Sequence, residues 1–171
     1  MPKDGTRFTR EQADKALVSV YKMLEGNTYQ VCGSYRRNSP DVGDIDILVL
    51  KKKNQKISLE GLDVDWSGED KIGFQIDGLH VDIKFVPKES WGAGLLHHTG
   101  PWGFNIKLRS IAKKKDMILN EYGLFMRETR EVVAQKTEKD ILYALMNPAS
   151  AEKFMDPSER KTPEWLKNKQ G

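Results

Sequence analysis

The sequence predicts an α+β fold: a mixed β-sheet flanked by helices, followed by a small C-terminal α/β subdomain. Two observations carry this. Strand-like alternation recurs between residues 28 and 86, and beyond Pro87 the pattern turns mostly helical with only short strand candidates. The chain has 171 residues, enough for one substantial core or one domain with an appendage. The change of pattern at Pro87 divides it into 1–87 and 88–171.

In chain order, Thr9 and Gln12 form a capping-box pattern ahead of a helical stripe of Ala13, Ala16, Leu17, Val20, Tyr21 and Leu24. Gly26 and Asn27 end that helix. Residues 28–32 read as a short strand, and 33–37 as a turn into a short helix whose free N–H groups face an anion. A strand over 44–52 follows, then a short one over 62–66. Residues 71–76 and 79–86 form two strands joined by Asp77-Gly78, a pair suited to a two-residue hairpin. Past Pro87 come a weak helix over 89–98, a break at Thr99-Gly100-Pro101, and a helix to about residue 115. Short strands over 117–119, 123–127 and 131–134 make a small hairpin unit. Thr137 and Asp140 cap a last helix over 138–146, and the tail from Asn147, with prolines 148, 157 and 163, reads as loop with short helical turns.

Composition narrows the function classes. Lys plus Arg exceed Asp plus Glu by 28 to 25, a net charge of +3 that leans towards polyanionic partners without requiring them. Cys32 is the single cysteine, so an intrachain disulfide is excluded, and three histidines with one cysteine leave little for a zinc site. No apolar run approaches the ~20 residues that span a bilayer, and the N-terminus lacks the apolar stretch of a secretory signal. The expectation is a monomer that is not secreted, cytoplasmic or DNA-associated in a host cell, with no membrane partner.

The segment GSYRRNSPDVGDIDILVL, residues 33–50, holds the most chemistry. On a strand Asp44 and Asp46 share one face, their Cα atoms roughly 6.6 Å apart, while Ile45, Ile47 and Val49 take the other. In residues 79–86 the same alternation groups His80, Asp82 and Lys84 against a core face of Leu79, Val81, Ile83 and Phe85. Pairing these strands with polar faces coincident crowds three carboxylates, which calls for a divalent cation, and oxygen-only ligation points to Mg²⁺ or Mn²⁺. Alone, a D-x-D on a strand is more often a solvated face, and Arg36 and Arg37 alone are exposed ion pairs worth little. Together, a Gly-Ser turn with arginines for a phosphate tail and carboxylates for that tail's metal describe a nucleotidyl-transfer site.

This segment, with HVDIKFVPK, HHTGPWGFNIKLRSIA and LNEYGLF, resembles in order the motifs of the family X DNA polymerases, the polymerase beta family. The resemblance covers most of the chain. It implies a nucleotidyltransferase palm over 1–87 and a nucleotide- and template-contacting subdomain over 88–171. By the same resemblance, Asp44 and Asp46 ligate two Mg²⁺ ions and Asp82 is the third ligand. Gly33, Ser34, Arg37 and, by backbone, Gly43 bind the triphosphate, with Arg7 reaching its outer phosphates. Asn105, Thr99 and Gly100, with His97, His98 and Trp102, contact the incoming nucleotide, and a cis bond is expected between Gly100 and Pro101. Arg109 reads the minor-groove side of the template, while Lys84, Asn120, Glu121 and Tyr122 are further candidates for DNA contact. Asn120-Glu121-Tyr122 reads equally as a structural turn, Trp102 as core, and the basic run 113–115 as a solvated helix end.

The chain departs from the family pattern at several positions. His97 stands for an aromatic residue near the sugar, Trp102 for an acidic residue near the base, and His80 and Lys84 for two arginines beside Asp82. Residues 51–78 are fewer than in the family pattern, and few residues precede the first helix, so an amino-terminal lyase domain is not expected and the chain resembles minimal viral forms. The implied activity is templated addition of a dNTP to a primer 3′-OH on gapped or primed DNA, short-gap filling in repair, with a DNA ligase as candidate partner. Template-independent transfer to DNA or RNA ends, and a non-catalytic DNA-binding scaffold, are the alternatives.

Overall fold

The computed structural model describes residues 5–167. It contains two compact units that part between Pro87 and Lys88.

The first unit is built on a five-stranded mixed sheet of order β2-β4-β7-β6-β5, made of β2 (Tyr29–Val31), β4 (Ile45–Leu50), β5 (Asp63–Ser67), β6 (Lys71–Ile76) and β7 (Leu79–Val86). β4 and β7 run parallel and the other pairs antiparallel. Alternation in β4 and β7 works as expected: Ile45, Ile47, Val49, Leu79, Val81, Ile83 and Phe85 all enter the core. Helix α1 (Arg10–Met23) supplies Ala13, Ala16, Leu17 and Val20 to the same core, so the acidic residues of β4 and β7 lie on the opposite face of their strands. The capping box is present in full: Thr9 Oγ1 accepts from the Gln12 N–H at 3.0 Å and Gln12 Oε1 from the Thr9 N–H at 2.8 Å. Asp77 and Gly78 both have positive φ, 52° and 81°, the signature of the tight hairpin turn that their identities favour.

Two features of this unit have no counterpart in the sequence reading. β1 (Phe8–Thr9) and β3 (Asp41–Val42) pair as a two-stranded antiparallel ribbon. Two residues are too few to show a period. The strand expected over 44–52 is also shorter, so Asp44 precedes β4, and Lys51 beyond its end turns its ammonium to Asp70 at 2.9 Å.

The second unit joins α3 (Trp91–Thr99), α4 (Trp102–Lys114), α5 (Glu138–Leu145), α6 (Pro148–Met155) and the one-turn α7 (Glu164–Lys167) to a three-stranded antiparallel sheet, β10-β9-β8. These strands are β8 (Met117–Asn120), β9 (Gly123–Met126) and β10 (Val132–Ala134). Leu96, Phe104, Leu108, Leu124, Ile141 and Leu142 form its core. The Gly100–Pro101 peptide is cis. The tail, expected as loop with short helical turns, holds such turns at Pro157–Glu159 and in α7 but also the longer, eight-residue α6. Pro148 stands at the start of that helix, where a proline loses no intrahelical bond, and Asn147 Oδ1 caps it from the Ser150 N–H at 2.9 Å. The expected tail beyond residue 167 lies outside the described residues.

Arg160 holds this tail down. It is 2% exposed, its Nη1 donates to Glu138 Oε2 at 2.7 Å, and its Nε donates to the Phe154 carbonyl at 2.8 Å. An arginine survives such burial only when a carboxylate and carbonyls replace its water shell.

Candidate active site

The parallel pairing of β4 with β7 sets Asp46 directly opposite Asp82. Asp44, one residue ahead of β4, turns its carboxylate to the same place, and one oxygen from each of the three lies within 4.8 Å of the others. Burial, and then the charges of Asp44 and Asp82, push the Asp46 carboxyl up to about 7. Three oxygen donors so close, one of which favours its proton near neutrality, fit a hard divalent cation that would displace that proton.

Asp46 is packed from behind by the 33–37 turn. Gly33 has φ 62°, and a Cβ there would stand 2.8 Å from Asp46 Oδ2, so only glycine leaves the carboxylate its position. The Cys32 N–H donates to the Asp46 carbonyl at 2.6 Å. The helix expected here is a single turn, α2 (Gly33–Arg36), carrying Ser34, and Arg37 caps it. Burial lowers the Arg37 pKa from its ordinary value, with Asp46 opposing that shift and Arg7 adding to it, so the guanidinium stands in the field of Asp46. Arg7 bonds to Asp41 Oδ1 through Nε at 2.8 Å and Nη2 at 2.7 Å. Gly43, buried, separates β3 from Asp44.

The loop that carries Ser34 and Arg37 has a clamp absent from the sequence reading. Arg10 Nη1 donates to the carbonyls of Tyr35 and Ser39, both at 3.1 Å, with its guanidinium 4.3 Å from the Tyr35 ring centroid. The Tyr35 hydroxyl donates to Asp14 Oδ1 at 2.5 Å, a bond that holds its proton and moves its pKa up to about 12. The arginine of RFTREQ that matters to this loop's shape is thus the second one.

Asp82 is held from the other side. His80 Nε2 lies 2.9 Å from Asp82 Oδ1 and His80 Nδ1 lies 3.0 Å from Asp65 Oδ2. His80 thus bridges the two carboxyl groups, one ring nitrogen to each. Trp66 lies against His80 with ring centroids 5.0 Å apart, and it can do so because its β6 partner is Gly73, where a Cβ would come within 2.2 Å of the indole. The register slips between Val64 and Trp66, so Asp65 sits in an irregularity of β5. Nothing in the sequence marks Asp65 or Trp66, because their role depends on how three strands align. Lys84 shares the polar face of β7 and pairs in register with Leu48 and Lys71.

In the second unit, His97 gathers two of the expected residues. Asn105 Nδ2 donates to the His97 carbonyl at 2.8 Å, and Arg109 Nη2 donates to His97 Nδ1 at 3.2 Å. The i, i+4 spacing of Asn105 and Arg109 does bring both to one place. Trp102 is 54% exposed and so is not core, whereas Thr99 is buried beside Gly100. Asn120 Oδ1 accepts from the N–H groups of Tyr122 and Gly123, at 2.8 and 3.2 Å, which makes it the fastener of the β8–β9 turn. Tyr122 is exposed on that turn, and Glu121 faces His98 at 3.5 Å.

A carboxylate trio on the mixed sheet, backed by a Gly-Ser turn with a guanidinium, defines the nucleotidyltransferase palm as a class. Comparison with known proteins takes the matter further. Residues 1–90 match the model for the DNA polymerase beta palm and residues 94–160 that for the DNA polymerase beta thumb. The chain is 32% identical over 139 residues to the repair DNA polymerase X of an African swine fever virus isolate, covering 74% of this chain and 79% of that protein. It is 28% identical over 193 residues to rat DNA polymerase lambda, covering 90% of this chain and 33% of that one. The chain belongs to the family X DNA polymerases, the polymerase beta family.

Proposed function

We propose that this polymerase adds a dNTP to a primer 3′-OH opposite a template base, at short gaps in duplex DNA, using two Mg²⁺ ions for which Mn²⁺ can substitute. The observation that carries the reading is the Asp44–Asp46–Asp82 trio, whose oxygens lie within 4.8 Å of one another across the β4–β7 pair. Bound divalent ions supply the charge that makes a hydroxyl a nucleophile near neutral pH and stabilises the departing pyrophosphate.

The chain's own side chains divide the remaining work. Asp44 and Asp46 hold the metal-bound triphosphate, and Asp82, oriented by His80, serves the attacking hydroxyl. Gly33, Ser34 and the Gly43 backbone cradle the phosphates, with Arg37 as their charge-assisted partner. Arg7 reaches the outer phosphates only by leaving Asp41, an exposed pairing that costs little to break. Residues 88–171 form the nucleotide- and template-contacting subdomain. There Asn105, His97, His98, Thr99, Gly100 and Trp102 meet the nucleotide, and Arg109 reads the minor-groove edge of the template. Lys84, Asn120, Glu121 and Tyr122 line the DNA path. The viral relative of similar length is named a repair polymerase, which supports gap repair as the setting.

The test is extension of one-nucleotide-gapped, nicked and single-stranded primers with each dNTP and rNTP. Gapped duplex is extended fastest, only by the dNTP complementary to the template, and Arg109→Ala strongly reduces that extension. Equal extension of single-stranded DNA, with Arg109→Ala affecting both substrates alike, replaces this reading with terminal transfer.

A further inference from the structure

Two of the three histidines meet a carboxylate within the second unit. His97 and His98 lie near the end of α3, and Glu121 stands in the β8–β9 turn. One ligand atom from each of the three lies within 4.8 Å of the other two. The two imidazoles meet edge to face with centroids 4.8 Å apart, and His98 Nε2 is 3.5 Å from Glu121 Oε2. The His98 and Glu121 side chains are 24% and 30% exposed, so an ion can enter while much of the surrounding water is excluded.

We propose that His97, His98 and Glu121 form a second metal site, for a borderline-soft divalent cation such as Zn²⁺, whose occupancy competes with Arg109 for His97. Two imidazole nitrogens and one carboxylate oxygen are a three-ligand zinc set that leaves a fourth position to water. The donor set differs in kind from the all-oxygen trio of the other unit, so Mg²⁺ has no advantage here. Composition alone argued against zinc, because the adjacent His97 and His98 do not reveal that a glutamate 23 positions further along meets them.

The competition follows from the chemistry of one ring. Arg109 can only donate, so His97 Nδ1 accepts from it and the neutral ring carries its proton on Nε2. A metal on Nδ1 takes the lone pair that Arg109 uses. A metal on Nε2 moves the ring proton to Nδ1, which then has no lone pair in the ring plane to offer. Either way the ion releases Arg109 from His97. Removing the guanidinium should therefore help the metal, an effect opposite to that of removing a ligand.

The experiment uses Co²⁺ alone as the probe, added to DNA-free protein that carries Asp46→Asn and Asp82→Asn to eliminate the oxygen site. Nitrogen-ligated Co²⁺ of low coordination number absorbs visibly, and the hydrated ion scarcely does. A saturable visible band appears, displaced by Zn²⁺ and untouched by Mg²⁺. His98→Ala or Glu121→Gln weakens binding by roughly 100-fold or more, exceeding what loss of an outer-shell partner costs. Arg109→Ala, in the same background, tightens it about tenfold, matching release of one charge-assisted hydrogen bond. No saturable band, a band that survives both ligand variants, or an Arg109→Ala affinity that is unchanged or weaker overturns the proposal; thermal melting of each variant separates lost ligands from lost fold.

Discussion

Asp46→Asn should stabilise the metal-free protein while destroying its activity, and the size of the effect should depend on pH in a set direction. Burial and the neighbouring carboxylates push the Asp46 pKa from 3.8 up to about 7. The folded state therefore holds a proton that the unfolded chain has lost between about pH 4 and pH 7. Stability contributed by this group is full below the unfolded value and falls as pH rises to the folded one. The shift spans roughly three pH units, each worth 1.36 kcal/mol, so ionised Asp46 costs up to about 4 kcal/mol above pH 7. Asparagine mimics the protonated acid and escapes that cost. In urea denaturation with EDTA, Asp46→Asn should match the wild type below about pH 4 and exceed it by a few kcal/mol at pH 8. Mg²⁺ should stabilise the wild type at pH 8 and erase most of the difference. A variant equally destabilised at both pH values, or a wild type indifferent to Mg²⁺, would show that the three carboxylates do not crowd one another as described.

Arg37→Ala should weaken dNTP binding by about 1.5 to 3 kcal/mol, the worth of a charge-assisted contact, and unchanged affinity in a fluorescence titration would remove Arg37 from the phosphate site. His80→Ala should lower turnover roughly tenfold or more without changing dNTP affinity, as loss of an outer-shell partner does. His80→Gln, which can still donate to Asp82, should recover part of that loss, and equal losses in the two variants would count against positioning. Arg160→Ala leaves Glu138 buried without its cation and should destabilise the protein by about 3 to 5 kcal/mol in chemical denaturation. A change below about 1 kcal/mol would mean that the carboxylate finds water instead.

The legible parts of this molecule are those that local pattern decides. Alternation alone assigned Ile45, Ile47, Leu79, Val81 and Ile83 to the core and the aspartates to the other face, and the Thr9–Gln12 box and the Asp77-Gly78 turn announced themselves by residue type. What stayed hidden depends on residues distant in sequence. Glu138 and Arg160 lie 22 positions apart, and neither has a pattern that marks it as buried. Asp65 and Trp66 reach His80 through a register that slips between β5 and β6 and runs on regularly to β7, with Gly73 leaving space for the indole. Pro148 read as a breaker because its position relative to Asn147, as the first residue of a helix, is a matter of context. In the site itself, the aspartates were visible as a motif, whereas Arg10's grip on the Tyr35 and Ser39 carbonyls was not.

The sharpest assay is single-turnover incorporation of one complementary dNTP into a one-nucleotide gap, with Mg²⁺, by the wild type and Asp82→Asn. On the proposed reading Asp44 and Asp46 would still hold the metal-bound nucleotide, so dNTP affinity should be largely kept while incorporation disappears. Near-normal turnover in Asp82→Asn would contradict catalysis by the carboxylate trio on β4 and β7.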